Sequence, residues 1–342
     1  MDKWYMEDGE NCDAVICSKV RLLRNMRGVP FPWRMNESQK ELAELQVRSA
    51  VLDKNSVLYG RFKFVEMDRI SENEAVSLAE RGLADADFVS GGAGRDIFFN
   101  GNESVSITAN GRNHVSIQSL TAGSDIFTAY EAADKVETVL DKHLDFAFDS
   151  ELGYLTPDPI NVGTGMQASM LLHLPSLTDV GAAARISSNL SKIGFSLQCV
   201  YGSAAKPRGA LYVISNRVTL GISENEILSN LKSMALQVIK REREARKELA
   251  CDIKVQDTVY RTLGILQKAR FMTDDELFDL VSVLRFGIEA GIVKNISYQC
   301  LNGLTLQAQP ATLTLNAGRP LTQDERSARR ACIVREALGG AG

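Results

Sequence analysis

Alternating polar and apolar residues predict β-strands along much of the first 220 positions. Residues 12–21 alternate in this way, and so do 103–108 and 114–120, which flank Asn110-Gly111. An alternation of period two places successive side chains on opposite faces of a sheet, and Asn-Gly readily takes the positive φ of a type I′ turn. We therefore predict a β-hairpin across this turn.

Further strands and helices follow without a regular βαβ period. The predicted strands are 169–174, 195–201 and 210–215, and the predicted helices are 37–52, 126–144 and 176–193. Such irregular mixing favours an α+β fold, in which a mixed or antiparallel sheet is flanked by helices.

From residue 223 onward the pattern becomes that of long helices. Ser223-x-x-Glu226 is a capping box that precedes a long apolar stripe. Capping boxes also begin at Thr273 and Thr322, and the last helix is expected to end at Gly339-Gly340. Each box predicts a helix start, because its two side chains satisfy free backbone N–H groups.

This change of texture predicts two domains. The first spans 1–250 and carries the mixed sheet, and the second is a small all-helical domain over 255–342. Long amphipathic helices in a small domain often pair with another copy, so we expect a homodimer, although a monomeric packing also satisfies the pattern.

Composition narrows the class of protein. The 342 residues are 44% hydrophobic, enough for a substantial core, and the net charge of -4 comes from interleaved acids and bases. This balance predicts no nucleic-acid or membrane partner. No apolar run approaches the ~20 residues that span a bilayer, and the acidic start MDKWYMEDGENC does not resemble a signal peptide. We therefore expect a cytoplasmic protein.

Cysteine spacing suggests neither disulfides nor a metal site. The six cysteines are scattered, without a C-x-x-C pair or a histidine cluster, and we expect reduced, mostly buried thiols. They are Cys12, Cys17, Cys199, Cys251, Cys300 and Cys332.

The longest motif is GYLTPDPINVGTGMQASMLLHLPSL, at 153–177. It resembles the hallmark of the bacterial protein arginine kinases, which are ATP:guanidino phosphotransferases of the phosphagen kinase family. The other matching stretches, in the family's order, are CSKVRLLRN (17–25), NGRNHVSIQ (110–118), YGSAAKPRGALYVISNRVTLG (201–221) and ERSARRA (325–331). The resemblance therefore covers nearly the whole chain.

The resemblance implies a creatine-kinase-like catalytic domain followed by a helical domain that dimerises and binds phosphoarginine. Members of the family move the γ-phosphoryl group of MgATP onto a guanidinium nitrogen. Such transfer depends on positioning and on cations that neutralise the phosphates. The arginines that supply those cations are therefore the first residues to trace in this chain.

Most of the family's phosphate-binding arginines are replaced. Arg21 matches one of them, and Lys19 stands for its companion, keeping the charge but losing the planar fork. The other family arginines fall on Ser116, Gln167 and Gln198. The resemblance thus predicts a weakened phosphate site.

The family's catalytic carboxylates are also replaced. Its Asn-Glu-Glu-Asp-His loop reads Asn-Gly-Arg-Asn-His at 110–114, so that Gly111 and Arg112 stand at acidic positions. The positive charge of Arg112 disfavours a cationic guanidinium substrate. Asp158, at the position of the family's reactive cysteine, is the remaining candidate catalytic carboxylate.

Two segments match the family's nucleotide-binding positions. They comprise Ser18, Lys19, Val20, Arg21, Gln167, Ala168, Ser169, Met170, Leu171 and His173. The family's adenine-stacking histidine falls on Gly82, so binding of ATP and Mg is expected to be weak or absent. His173 fits either a ribose contact or a hydrogen-bonded core histidine, and Gly163-Thr164-Gly165 fits either a phosphate loop or a tight turn. Lys206 and Arg208 are possible substitutes for the lost arginines.

The tail keeps part of the family's phosphoarginine motif. Arg326 and Arg330 occupy its two arginine positions, whereas Ser327 replaces the acid that would pair with a guanidinium. Two arginines can grip a phosphate. We therefore predict a degraded phosphoarginine-binding site.

Three hypotheses remain open from the sequence. The leading one is a pseudokinase that serves as an adaptor or regulator in arginine phosphorylation and Clp protein quality control. The second is an active protein-arginine phosphotransferase with an altered site, and the third is a phosphoarginine-binding module. By resemblance, the partners are a second copy, an active arginine kinase paralogue, its zinc-finger activator or a Clp unfoldase.

Overall fold

The computed structural model describes residues 3–91, 94–203 and 206–339, without the side chain of Lys206. Its strands are β1 (Val15–Arg24), β2 (Phe62–Glu66), β3 (Asp96–Asn100), β4 (Val105–Ala109), β5 (Val115–Ala122), β6 (Phe148–Asp149), β7 (Gly153–Tyr154), β8 (Met166–His173), β9 (Phe195–Cys199), β10 (Gly202–Ser203), β11 (Lys206–Pro207) and β12 (Leu211–Asn216).

Within the described residues, eight strands form one sheet in the order β2-β3-β4-β5-β1-β8-β12-β9, and every neighbouring pair is antiparallel. This arrangement confirms the predicted α+β fold. The central strand β1 pairs with β5 on one side and β8 on the other, so Arg21 lies between Gln118 and Gln167.

Helices surround the sheet and form the C-terminal region. They are α1 (Glu37–Leu52), α2 (Glu72–Glu80), α3 (Ala86–Val89), α4 (Ile126–Leu140), α5 (Pro175–Asp179), α6 (Ala183–Ser191), α7 (Glu224–Leu249), α8 (Ile253–Lys268), α9 (Asp274–Glu289), α10 (Tyr298–Gln307), α11 (Pro310–Ala317) and α12 (Gln323–Leu338).

One face of the sheet is covered by the main hydrophobic core. The apolar sides of α1, α4 and α7 pack against inward-facing strand residues such as Val20, Leu22 and Met170, which are fully or almost fully buried. Helix α7 begins at the predicted capping box of Ser223 and Glu226. Burial of this apolar face is the main stabilising contribution to the region that contains the sheet.

The opposite face is covered only at its ends. The short helices α2 and α3 pack on β3 through an apolar cluster that includes Phe88 and Phe99. Trp4 and Tyr5 cover Cys17 and Leu120 nearer the other end. Between these covers the strands present polar side chains, and the face is open there.

The helical region has its own apolar core. Helices α8 to α12 contribute Val259, Leu266, Leu284 and Val334, among others, to this second cluster. Helix α7 ends at Leu249, and α8 begins at Ile253. The predicted all-helical character after residue 255 is confirmed.

A buried ionic network joins the two regions. Glu289 on α9, whose side chain is fully buried, lies 3.1 Å from a ring nitrogen of His173 on β8 and 3.1 Å from Arg246 on α7. Arg285 approaches the same carboxylate at 3.3 Å and donates a 2.6 Å hydrogen bond to the carbonyl of Cys12. Groups from both regions thus depend on one carboxylate.

Some local predictions are wrong. The hairpin forms, but its turn is a five-residue loop between paired Ala109 and Val115, and Asn110 has a positive φ while Gly111 does not. Tertiary contacts hold this loop, because the Asn110 side chain donates to the carbonyls of Lys40 and Gly94.

Two predicted helices also have different limits. The helix predicted over 176–193 is divided into α5 and α6 around Gly181, whose φ of 68° ends the first segment. Helix α4 ends at Leu140 instead of 144. The expected stop at Gly340 lies outside the described residues.

The thiols differ in exposure from the prediction. The six cysteines are free, but only Cys17 is buried and Cys251 is exposed. Among the described residues there is no cluster of acidic, histidine and cysteine side chains that could hold a metal, and no helix with the length and apolar character to cross a membrane.

Candidate active-site cleft

The open part of the second sheet face forms a cleft of about 830 Å³. Its floor contains a row of opposed residues on four strands, namely Ser106, Gln118, Arg21 and Gln167. The alternation of strand residues places these side chains on one face and their neighbours in the core. The cleft brings together six predicted residues, which are Arg21, Gly111, Arg112, Ser116, Asp158 and Gln167.

Arg21 is held by groups from its own chain. Its two terminal nitrogens donate to the two carboxylate oxygens of Asp85, with Nη2–Oδ1 at 2.6 Å, and Nη2 also donates to Gln118 Oε1 at 2.8 Å. Burial opposes ionisation of Asp85, but the nearby Arg21 outweighs it and keeps the pKa of that carboxyl below its ordinary value. Asp85 therefore occupies the place of an anionic ligand.

Lys19 lies beside Arg21 on the same face, in a smaller adjoining cleft of about 360 Å³. Burial and the neighbouring Arg21 lower the pKa of its amine to about 7. Ser18 and Val20 point to the other face, where the Ser18 hydroxyl donates a 2.8 Å hydrogen bond to the carbonyl of Gly123. Of this segment, Lys19 and Arg21 are the side chains that reach the clefts.

The loop over 110–114 carries the second ion pair of the cleft. Arg112 lies 3.3 Å from Asp158 and 3.9 Å from Asp87. His114, at the end of the loop, is buried; its Nδ1 accepts from the backbone N–H of Met26, and its Nε2 lies 3.0 Å from the carbonyl of Pro30. Burial lowers the pKa of His114, so this histidine anchors the loop as a neutral ring.

Neutral side chains occupy the positions of the family's other arginines. Ser116 and Gln167 line the large cleft, and Gln167 donates a 3.0 Å hydrogen bond to Asn161. Gln198 is exposed on the edge strand β9 and lines neither cleft. The structure thus brings two of these three replacements together.

The side chains of the second predicted nucleotide segment, on β8, face different parts of the molecule because successive residues of a strand point to opposite faces of the sheet. Ser169 lines the smaller cleft, and Ala168 borders it although its side chain is buried, whereas Met170 points into the core. Leu171 and His173 border a separate cavity of about 100 Å³ between the sheet and the helical region.

His173 takes the second of its two predicted environments. It is 1% exposed, and its ring nitrogens lie 3.1 Å from Glu289 and 2.8 Å from the hydroxyl of Ser282. Gly163-Thr164-Gly165 likewise has the geometry of a tight turn, because a Cβ on Gly163 would lie 2.2 Å from the carbonyl oxygen of Thr219. Both positions have structural roles here.

The tail arginines are placed differently from the expected pair. Arg330 is buried, and its guanidinium donates to the carbonyls of Ala308 and Met272 at 2.9 and 3.0 Å. Arg326 is half-buried and donates to the carbonyl of Leu321. Since Arg330 already holds the helical core together, a phosphoarginine site here depends on Arg326.

Of the two proposed substitutes in the second loop, Arg208 is described, and it does not supply a cation to the cleft. Arg208 forms ion pairs with Asp275, at 2.5 Å, and Asp274, at 3.7 Å, on α9. The side chain of Lys206 lies outside the described part of the chain. Arg208 therefore contributes to the contact between the two regions.

Several residues of the clefts were not identified from the sequence. Asp85, Gln118, Trp33 and Arg217 belong to this group. Alternation on β5 signals Gln118, which is two residues after Ser116. Nothing in the sequence pairs Asp85 with Arg21, because this contact joins positions 64 residues apart.

The floor of the large cleft presents few free cations to the triphosphate of MgATP. Arg21 is engaged by Asp85, the positions of Ser116 and Gln167 are neutral, and no metal-binding cluster is present among the described residues. A triphosphate needs several free cations for its negative charge. The cleft has instead a paired and largely neutral floor.

Two protein-family models together match most of the chain. Residues 43–245 match the ATP:guanido phosphotransferase, C-terminal catalytic domain. Residues 252–341 match the protein-arginine kinase McsB C-terminal domain.

Full-length relatives show the same similarity. The chain is 36% identical to a protein-arginine kinase of Moorella thermoacetica, over 99% of this chain and 97% of that protein. It is 34% identical to that of Clostridium acetobutylicum, over 99% and 100% of the two chains.

Solved structures share the fold at lower identity. Lombricine kinase superposes with a TM-score of 0.59 at 19% identity, covering 71% of this chain and 69% of that chain. The duplicated taurocyamine kinase from Schistosoma mansoni with bound transition state analog components gives a TM-score of 0.61 at 18% identity, covering 75% and 38%.

Proposed function

Because this chain belongs to the protein-arginine kinase family of ATP:guanidino phosphotransferases, we propose that it is a catalytically impaired member that acts as an adaptor or regulator of arginine phosphorylation. It keeps the fold of the catalytic domain and the helical domain for binding. We also propose that the protein is cytoplasmic and that it acts in Clp protein quality control.

The observation that carries the proposal is the ion pair between Arg112 and Asp158. Asp158 is the candidate catalytic carboxylate, and Arg112 lies 3.3 Å from it. A guanidinium substrate would have to displace a guanidinium already present, in a place where like charges repel. The carboxylate is therefore compensated by the chain itself.

The state of the phosphate cations supports the same conclusion. Arg21 is paired with Asp85, while Ser116 and Gln167 are neutral. Removing one arginine that stabilises the transition state of phosphoryl transfer lowers the rate by on the order of 10³-fold or more. Losses at several such positions are not additive, yet together they favour an inactive kinase.

A second copy of the chain is the partner that the helical region supports best. Helix α8 exposes Ile253, Tyr260 and Ile265, with Ile253 at 72% and Tyr260 at 59%. Exposed apolar side chains on one helix favour burial against another copy. An active arginine kinase paralogue, its zinc-finger activator and a Clp unfoldase are the further partners proposed.

The test is MgATP binding by calorimetry, followed by phosphoryl transfer to an arginine-rich protein. We expect no heat of binding at about millimolar nucleotide and no phosphoarginine by mass spectrometry. A variant that combines D85S, R112E, S116R and Q167R is the matched control, since it restores charge to the same scaffold. Nucleotide binding regained in this variant would show that the cleft is intact but emptied of cations.

Phosphorylation of arginine by the unaltered protein is the result that would contradict the proposal. If the unaltered protein phosphorylates arginine, and the activity disappears in both Asp158→Ala and Arg21→Ala, the chain is an active phosphotransferase and the proposal is wrong.

A further inference from the structure

The smaller cleft contains a lysine in an uncommon setting. Lys19, Ser169 and Ser215 lie directly opposite one another on β1, β8 and β12, and all three line this cleft of about 360 Å³. Adjacent strands are about 4.8 Å apart, so the two hydroxyls lie within reach of a small molecule bound at the amine.

The Lys19 amine is uncommitted. Within the described residues it has no hydrogen-bond or ion-pair partner. Among those residues, three charged or titratable groups face the amine. Burial and the positive charge of Arg21 lower its pKa, whereas Asp85 and Cys17 raise it. With a pKa of about 7, roughly half of the amine is neutral and nucleophilic at neutral pH.

The competing nucleophile in this part of the sheet is inactive. Cys17 lies two residues before Lys19 on the same face, and burial raises the pKa of its thiol to about 12. The thiol therefore stays protonated at neutral pH, and thiols react through the thiolate. Lys19 is the nucleophile that this cleft offers.

A free cation lines the same cleft. Arg217 follows Ser215 by two residues and is exposed, and its guanidinium has no hydrogen-bond or ion-pair partner in the described part of the chain. Arg21 is engaged by Asp85, so Arg217 is the cation that remains available to a phosphate. Guanidinium groups bind phosphate oxygens through paired N–H donors.

We propose that Lys19 is an acylation site whose reagents are acyl phosphates, with Arg217 holding the phosphate group. The neutral amine nitrogen attacks the carbonyl carbon and forms the C–N bond. The bond from that carbon to the phosphate oxygen then breaks, its electron pair leaves with the phosphate, and the nitrogen releases one proton to solvent. The products are an amide on Lys19 and inorganic phosphate.

The reaction needs neither nucleotide nor phosphoryl transfer, so it is independent of the function proposed above. Acylation would remove the charge of Lys19 from the cleft. It would thereby deplete the remaining phosphate-binding charge further.

The test uses acetyl phosphate and the full-length protein, with peptide mass spectrometry over time at about pH 7.5. The exposed Lys142 serves as an internal reference. We expect acetylation of Lys19 to be at least about tenfold faster than that of Lys142, with a rate that is half-maximal at about pH 7, where its amine loses its proton. Equal rates at the two lysines would overturn the proposal.

A matched variant separates phosphate recognition from simple reactivity. Arg217→Gln should slow acetylation by acetyl phosphate severalfold and leave acetylation by p-nitrophenyl acetate, which carries no phosphate, unchanged. Lys19→Arg should abolish the modified peptide while keeping the charge. If Arg217→Gln has no effect, or slows both reagents equally, the phosphate site is refuted.

Discussion

At the scale of single residues, two ion pairs determine which charges in the cleft are available to a ligand. Arg21 is paired with Asp85 and Arg112 with Asp158, so two cations and two anions neutralise one another. Arg112 and Asp158 both stand at family positions, whereas Asp85 stands at none, and each pair joins distant parts of the chain. The ligand preference of the cleft thus follows from pairs, which no single motif position reveals.

The pair at Arg21 leads to the first prediction at this scale. Asp85→Ala should free the guanidinium and strengthen binding of tripolyphosphate. Because Asp85 is half exposed and such pairs are worth up to about 1 kcal/mol, we expect about a fivefold gain in affinity by calorimetry.

The control for this variant is Asp87→Ala. Asp87 is more exposed and lies 3.9 Å from Arg112 instead of contacting Arg21. It should leave the affinity unchanged. An equal gain in both variants would mean that net charge, and not release of Arg21, governs binding.

At the scale of elements, alternation predicts strands well because the pleat has a fixed period. Lys19 and Arg21 reach the clefts for this reason, and Val20 is buried between them. The loop after β4 could not be predicted in the same way. Its shape depends on contacts of Asn110 with Lys40 and Gly94, which are distant in sequence.

The candidate site, like the strands and loops, could be predicted only in part. Motif positions identify Ser116, Gln167 and Asp158, and all three line the large cleft. The sequence offers no sign that the guanidinium of Arg330 is engaged by the carbonyls of Ala308 and Met272, because these lie in the segments that follow α10 and precede α9, distant from Arg330 in sequence.

Helix α11 provides a prediction for an element. No side chain of its own caps its start, and the carboxylate of Glu80 on α2 accepts from the backbone N–H groups of Ala311 and Thr312 at 2.9 and 2.7 Å. Glu80→Ala leaves these donors unpaired and should lower the free energy of unfolding by about 1–2 kcal/mol.

Urea denaturation followed by circular dichroism measures this change. The exposed Glu41→Ala on α1 is the control and should change the stability by less than about 0.5 kcal/mol. A Glu80→Ala protein as stable as the control would show that water replaces the cap without loss.

At the scale of the whole molecule, the sheet and the helical region are joined through charges that water does not reach. Glu289 is surrounded by His173, Arg246 and Arg285, which come from β8, α7 and α9. Strand β8 also carries Gln167 and Ser169 of the clefts. The same strand therefore contacts both the site and the interface between the regions.

Removing the charge of Glu289 should allow the sheet and the helical region to unfold separately. Glu289→Gln keeps the shape of the side chain but removes the buried counterion of Arg285 and leaves Arg246 with Asp13 alone, which should destabilise the protein by about 3–5 kcal/mol. We expect calorimetry to resolve two thermal transitions, and limited proteolysis to cut faster between Leu249 and Ile253.

Glu276→Gln, an exposed change on the same helix, is the matched control and should melt like the unaltered protein. If both variants unfold in one transition at the same temperature, the network does not hold the regions together.

The contacts between the N-terminal segment and the helical region have a consequence for synthesis on the ribosome. The carbonyl of Cys12 accepts a hydrogen bond from Arg285, which is synthesised 273 residues later, and Trp4 and Tyr5 pack near Leu306. At about 5–20 residues per second the ribosome needs roughly 15–55 s to supply that partner. During this interval the segment around Trp4 and Tyr5 lacks part of its final cover, so a nascent chain of this protein offers chaperones an apolar binding site until the helical region is synthesised.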